Sequence, residues 1–119
     1  MAIRKRFSEL STQQQGLVRL CQAVHFGQIL DLHVGDGAPV FAPEPKVIRD
    51  VKLDSLDAPR PELELSDFAL RDEVCRLFSQ IEALKNGRIS RIEVHAGLPR
   101  RIVLEGKASD IRSWLWTAS

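Results

Sequence analysis

Gly27–Pro39 reads GQILDLHVGDGAP, and Gly87–Pro99 reads GRISRIEVHAGLP. At an offset of 60 the two stretches share Gly27/Gly87, Ile29/Ile89, Val34/Val94, Gly37/Gly97 and Pro39/Pro99, with Leu32/Ile92 as a further apolar match. At an offset of 57 the preceding segments also match, at Leu17/Val74, Arg19/Arg76, Leu20/Leu77 and Val24/Ile81. Self-similarity at a fixed spacing predicts an architecture before it predicts a chemistry. Here it predicts two helix-plus-hairpin units, about 11–53 and 66–106, joined by a linker at 54–65.

A helix with one two-stranded hairpin buries too little apolar surface to stand alone in water. Two such units can share a sheet. The expected fold is therefore a single α+β domain over 1–119, a pseudo-two-fold helix–hairpin repeat. Its antiparallel sheet carries two main helices on one face, and a short C-terminal helix follows.

The local signals fit that plan. Ser11 begins S-T-Q-Q, a capping box in which the Ser11 hydroxyl accepts from the backbone and Gln14 reaches back. Leu17, Leu20, Cys21 and Val24 follow at helical spacing, and Gly27 is placed to end the helix in a left-handed conformation. Ile29–Val34 reads as a strand with Leu30, Leu32 and Val34 on one face and Ile29, Asp31 and His33 on the other. Asp36-Gly37 signals a hairpin turn, because primed turns need positive φ. Lys46–Leu53 reads as a resumed strand after the interruption by Pro43 and Pro45.

Ser66 or Asp67 is expected to cap the second helix, with Phe68, Val74, Leu77, Phe78, Ile81 and Leu84 as its buried stripe. Arg88–Val94 and Arg100–Glu105 then form the second hairpin around Ala96-Gly97. Ser109 caps the short terminal helix, in which Ile111, Trp114 and Leu115 share a face. Residues 1–10, with Arg4, Lys5 and Arg6, read as a loose arm or an added edge segment.

The run Phe26-Gly27-Gln28-Ile29-Leu30-Asp31-Leu32-His33-Val34-Gly35-Asp36-Gly37, behind a helix, resembles very short uncharacterised bacterial proteins made of one helix and one hairpin. The resemblance covers residues 17–41. The second unit departs from it, with Asn86 for the aromatic residue and Ala96 for the aspartate. That family carries no known catalytic residues, so the resemblance implies a fold element and no site.

Composition narrows the function classes. The net charge is +1 over 119 residues, which commits the chain neither to nucleic acid nor to an anionic membrane. No apolar run reaches bilayer length, and MAIRKRFSEL lacks the apolar core of a secretory signal. Cys21 and Cys75 are expected as two reduced thiols of a cytoplasmic protein rather than a disulfide. His25, His33 and His95 show no ligand spacing, so no metal or cofactor is expected. Gly106-Lys107 does not complete a phosphate loop, and no nucleophile has a base beside it in sequence. No catalytic residue is assigned.

Two candidate interaction surfaces stand out. Residues 27–41 carry only Asp31 and Asp36, a charge of −2, whereas 87–101 carry Arg88, Arg91, Glu93, Arg100 and Arg101, a charge of +3. Such opposed hairpins can pair with each other or with a partner in a defined register. The basic hairpin can also lie on a phosphate backbone, although it has no interleaved aromatic residues for base stacking. The second surface is SWLWTAS, whose Trp114 and Trp116 either close the core or form a contact patch. The expected role is a small non-catalytic module that binds a protein partner or self-associates. The alternative is a nucleic-acid-associated protein using Arg88, Arg91, Arg100 and Arg101, and an enzyme comes third.

Overall fold

The computed structural model describes residues 5–54 and 61–105, apart from the side chains of Leu63 and Glu64. Two helices, α1 (Thr12–Val24) and α2 (Asp72–Leu84), pack on an antiparallel sheet of five strands: β1 (Gly27–Gly35), β2 (Ala38–Val40), β3 (Lys46–Arg49), β4 (Gly87–His95) and β5 (Leu98–Leu104). Single 3-10 turns lie at Phe7–Glu9 and Pro61–Glu64. The sheet order is β2-β1-β4-β5, and β3 continues beside β1 beyond β2. The expected terminal helix, with Trp114 and Trp116, lies outside the described residues.

The first helix starts as its sequence dictates. The Gln14 amide donates to the Ser11 hydroxyl at 3.2 Å, and the Ser11 amide donates to the Gln14 side chain at 2.9 Å. Its end differs from expectation. The helix stops at Val24, and His25 takes the positive φ (65°, with ψ −64°) while the Phe26 amide donates to the Val24 carbonyl at 2.7 Å. That is a γ-turn of the rare, strained kind. Lys85 repeats it after α2, at φ 61° and ψ −63°, with the Asn86 amide on the Leu84 carbonyl at 2.7 Å. Gly27 is needed for a different reason: a Cβ there would sit 2.0 Å from the Ile48 carbonyl oxygen of β3, and its φ is 152°.

Helix α2 begins at Asp72, later than Ser66 or Asp67 predicted, with Arg71 as its N-cap. The segment before it is spoken for. The Phe7 amide donates to the Phe68 carbonyl, the Leu70 amide donates to the Lys5 carbonyl, and Arg6 bridges to Ala69. The Asp67 carboxylate accepts from the Ser8 amide at 2.9 Å and from Arg6 Nε at 2.8 Å. Residues 5–10 are thus no loose arm: Phe7 and Leu10 are buried, and Phe7 stacks on Phe68 at 4.9 Å.

The strand faces also depart from simple alternation. Ile29, Leu32 and Val34 enter the core, as do Ile89, Ile92 and Val94, while Leu30 is half-buried on the opposite face. In β1 Asp31 has φ 57°, and in β4 the pairing with β5 jumps between Ile89 and Arg91. Each strand carries one extra residue at the same level, which resets the inward phase. Because the two irregularities face each other, the β1–β4 pairing keeps one register from Gly27↔Val94 to Val34↔Gly87.

One core results, with Leu17, Val18, Cys21 and Val24 from α1 and Val74, Leu77, Phe78 and Ile81 from α2 lying over these six strand residues. The elements of the second half begin at 72, 87 and 98 where those of the first begin at 12, 27 and 38. At that spacing of 60, and not at the 57 suggested by the helix sequences, Leu17, Val18 and Cys21 fall level with Leu77, Phe78 and Ile81.

Candidate interaction surface

The return strands of the two hairpins differ. β5 runs unbroken for seven residues. Beside β1 the return is split at Phe41–Pro45, which contains a cis Ala42–Pro43 bond, and β3 is only Lys46–Arg49, shorter than the predicted strand. Among the described residues β3 pairs only with β1, so its other side is an open edge. All four of its residues are exposed. Val47 (41 % exposed) and Ile48 (43 %) lie on this edge, and Val51 (57 %) and Leu53 (96 %) follow just beyond its end. The fifth large apolar side chain exposed among the described residues, Leu65, lies elsewhere. An apolar edge with unsatisfied backbone groups is a template for pairing with another strand.

A groove on the open side of the sheet meets this edge. It is lined by Phe26, Gln28, Ile48, Arg49 and Asp50 on one wall and by Glu93, His95, Arg100 and Arg101 on the other. The Phe26 ring stands edge-on between the imidazoles of His25 (4.6 Å) and His95 (4.7 Å). His25 and His95 are seventy residues apart, and only the closing of the sheet joins them. His25 Nδ1 is buried with no hydrogen-bond partner in the structure.

The four arginines singled out from sequence are not one patch. Arg88 lies near one end of β4, 3.4 Å from Asp31 and 3.5 Å from Glu105. Arg101 faces Glu93 near the other end, at 3.1 Å, about 16 Å of strand away. Arg100 and Arg101 share the groove, whereas Arg91 sits mid-strand opposite Leu30. The charge contrast between the hairpins is used internally, since the Asp31–Arg88 contact joins β1 to β4. Trp114 and Trp116 lie outside the described residues.

The ionisable groups with displaced pKa values lie away from this surface. Burial pushes the Cys21 thiol up to about 12, so it stays protonated and unreactive at neutral pH. Hydrogen bonds from Arg6 and from the Ser8 amide hold Asp67 down at about 2. Both cysteines are free, Cys21 buried and Cys75 half-buried. Among the described residues no group of three His, Cys, Asp or Glu is placed to hold a metal ion, and no helix is long and apolar enough to cross a membrane. No protein-family model, curated protein or solved structure matches the chain.

Pro43 and Pro45 predict an edge or a bend here, but the contact surface on it is absent from the candidates drawn from sequence; its signal is the apolar run Val47, Ile48, Val51, Leu53.

Proposed function

We propose that this chain is a small non-catalytic cytoplasmic module that binds a protein partner or self-associates, and that β3 is its contact edge. One observation carries the reading: four of the five large apolar side chains exposed among the described residues fall within Val47–Leu53, on β3 and the segment just after it, and β3 has one side open. Burying such a row against a partner strand adds main-chain hydrogen bonds to apolar contact. The same reading treats the chain as a pseudo-two-fold helix–hairpin repeat. Supporting it are the reciprocal pairings Gly27↔Val94 and Val34↔Gly87. The Gly37 amide also donates to the Lys85 carbonyl, and the Gly97 amide to the His25 carbonyl, both at 2.8 Å.

The nucleic-acid alternative has Arg49, Arg100 and Arg101 in one groove in its favour. Asp50 and Glu93 line the same groove, and Glu93 engages Arg101, which lowers its attraction for phosphate. The test compares the full chain with Ile48→Lys plus Val51→Lys, by sedimentation and by capture from host extract. Association, with itself or with a host protein, is expected to disappear in the variant. An interaction that survives it, or retention on DNA or RNA that is lost at high salt and on Arg100→Ala plus Arg101→Ala, would sink the β3 reading.

A further inference from the structure

The β3 edge is charge-complementary to itself. Glu44-Pro45-Lys46-Val47-Ile48-Arg49-Asp50-Val51-Lys52 carries acid, base, apolar, acid and base at alternate positions 44, 46, 48, 50 and 52. Reversed about Ile48, each charge meets its opposite. Glu44, Lys46, Ile48, Asp50 and Lys52 are all exposed. Alternation along an extended chain places every second residue on the same face.

The backbone allows this pairing. The Asp50 amide donates to the Phe26 carbonyl at 2.7 Å, inward to β1, and Ile48 pairs with Gln28. In an antiparallel ladder the residues that alternate with these, Val47 and Arg49, then direct their N–H and C=O groups to the open edge. Two copies related by a two-fold axis through Ile48 exchange those groups between Val47 of one and Arg49 of the other. Pro45, lacking an N–H, ends the ladder. The far edge of the sheet is poorly suited to the same use, since β5 presents Pro99, Arg100 and Arg101 beside a register shift.

Resting on the reading of β3 as the contact edge, we propose that its partner is a second copy of this chain. The two β3 strands pair antiparallel about Ile48, so that Lys46 faces Asp50 of the other copy, twice per dimer, and one sheet runs through both molecules. Glu44 and Lys52 extend the same match. Closely opposed unlike charges stabilise a strand pair and like charges destabilise it.

The test is a charge swap, followed by sedimentation equilibrium of the full chain over a wide concentration range. The unaltered chain is expected to dimerise. Lys46→Glu alone sets two acids together, and Asp50→Lys alone sets two bases together. Each is expected to weaken self-association by about tenfold or more, from two cross-strand pairs changed in sign. An equimolar mixture of the two variants is expected to form a heterodimer about as tight as the unaltered dimer, because each new charge then meets its opposite. All substituted side chains are exposed, and a thermal melt of each variant checks folding. A dimer unaffected by both single changes, or single variants not rescued by mixing, would overturn the pairing. A chain that stays monomeric, yet captures a host protein lost on Ile48→Lys, would overturn it and leave the contact-edge reading standing. A monomer that captures nothing would overturn both.

Discussion

Between α1 and β1 the chain turns through His25 at φ 65° and ψ −64°; between α2 and β4 it turns through Lys85 at φ 61° and ψ −63°. The hairpin turns agree as closely: Asp36 and Ala96 both have φ 52°, followed by Gly37 at 74° and Gly97 at 77°. Both corners reach from a helix to a strand of the same sheet. The strained carbonyl of each corner accepts from the turn glycine of the other hairpin. Local strain of about 1–3 kcal/mol at such a residue persists only where the surroundings fix it. Here the fixing contact is supplied across the molecule.

The two regions differ in what surrounds those corners. After β1 the return strand is split and brings the Ile48 carbonyl against Gly27, whereas the atoms nearest a Cβ on Gly87 belong to the Leu84 side chain, the first at 3.3 Å. The helices differ too. Arg19 of α1 lies half-buried with its guanidinium 4.3 Å above the Phe7 ring. It donates to the Gln22 side chain and the Glu62 carbonyl, both at 2.9 Å, and also contacts the Leu65 carbonyl. One side chain thus ties the Glu62 and Leu65 carbonyls to α1. Arg76, its match in the sequence, is exposed on α2. The two halves thus differ in what packs outside them: α1 has the 61–70 segment against it, and β1 has the open-edged β3 beside it.

The largest effect that separates the halves should come from the two corner glycines. Gly27→Ala is expected to cost about 3 kcal/mol or more, because its methyl group meets backbone that cannot yield without breaking β1–β3 pairing. Gly87→Ala is expected to cost about 1 kcal/mol, from its positive φ of 157° alone, since a leucine side chain can turn aside. Urea unfolding of both variants measures the gap, and equal losses would erase this difference between the corners.

The next contrast is between arginines. Arg19→Ala should destabilise by about 2 kcal/mol through lost charged hydrogen bonds and ring contact, and Arg76→Ala by less than about 0.5 kcal/mol. Comparable losses at the two sites would mean that Arg19 adds little to the contacts that Phe7 and Ser8 already make with the 61–70 segment.

The smallest contrast concerns strain relief. Lys85→Gly is expected to stabilise the fold by about 1 kcal/mol, because glycine accepts positive φ without penalty. His25→Gly should gain less, since it also removes the ring packed on Phe26. A thermal melt in which Lys85→Gly lowers the midpoint would show that the corner is not strained as its dihedrals indicate.

Much of the frame was legible because it rests on neighbours in sequence. Ser11 and Gln14 sit three residues apart and satisfy each other in any helix that starts there. The positive φ values at 36–37 and 96–97 follow from turn chemistry. The second helix was misplaced because Ser66 and Asp67 offer good capping side chains locally. Asp67 is instead captured by Ser8 and Arg6, about sixty residues earlier. The strand faces were misread because Asp31 takes a positive φ that its own segment does not signal, at the level where β4 carries its irregularity across the sheet. The basic cluster looked continuous in sequence, but pairing separated Arg88 from Arg101 along the strand and gave each an acidic partner.

By itself, then, the order of residues settled the start of α1, the hairpin turns and the α+β class, since these depend on contacts a few residues apart. Which strand was left with an open side was a different matter. β3 is an edge because β4 took the other side of β1, a contact between segments some sixty residues apart. Only chain closure decides which of several apolar runs is covered, because burial belongs to the assembled layers and not to any segment within them.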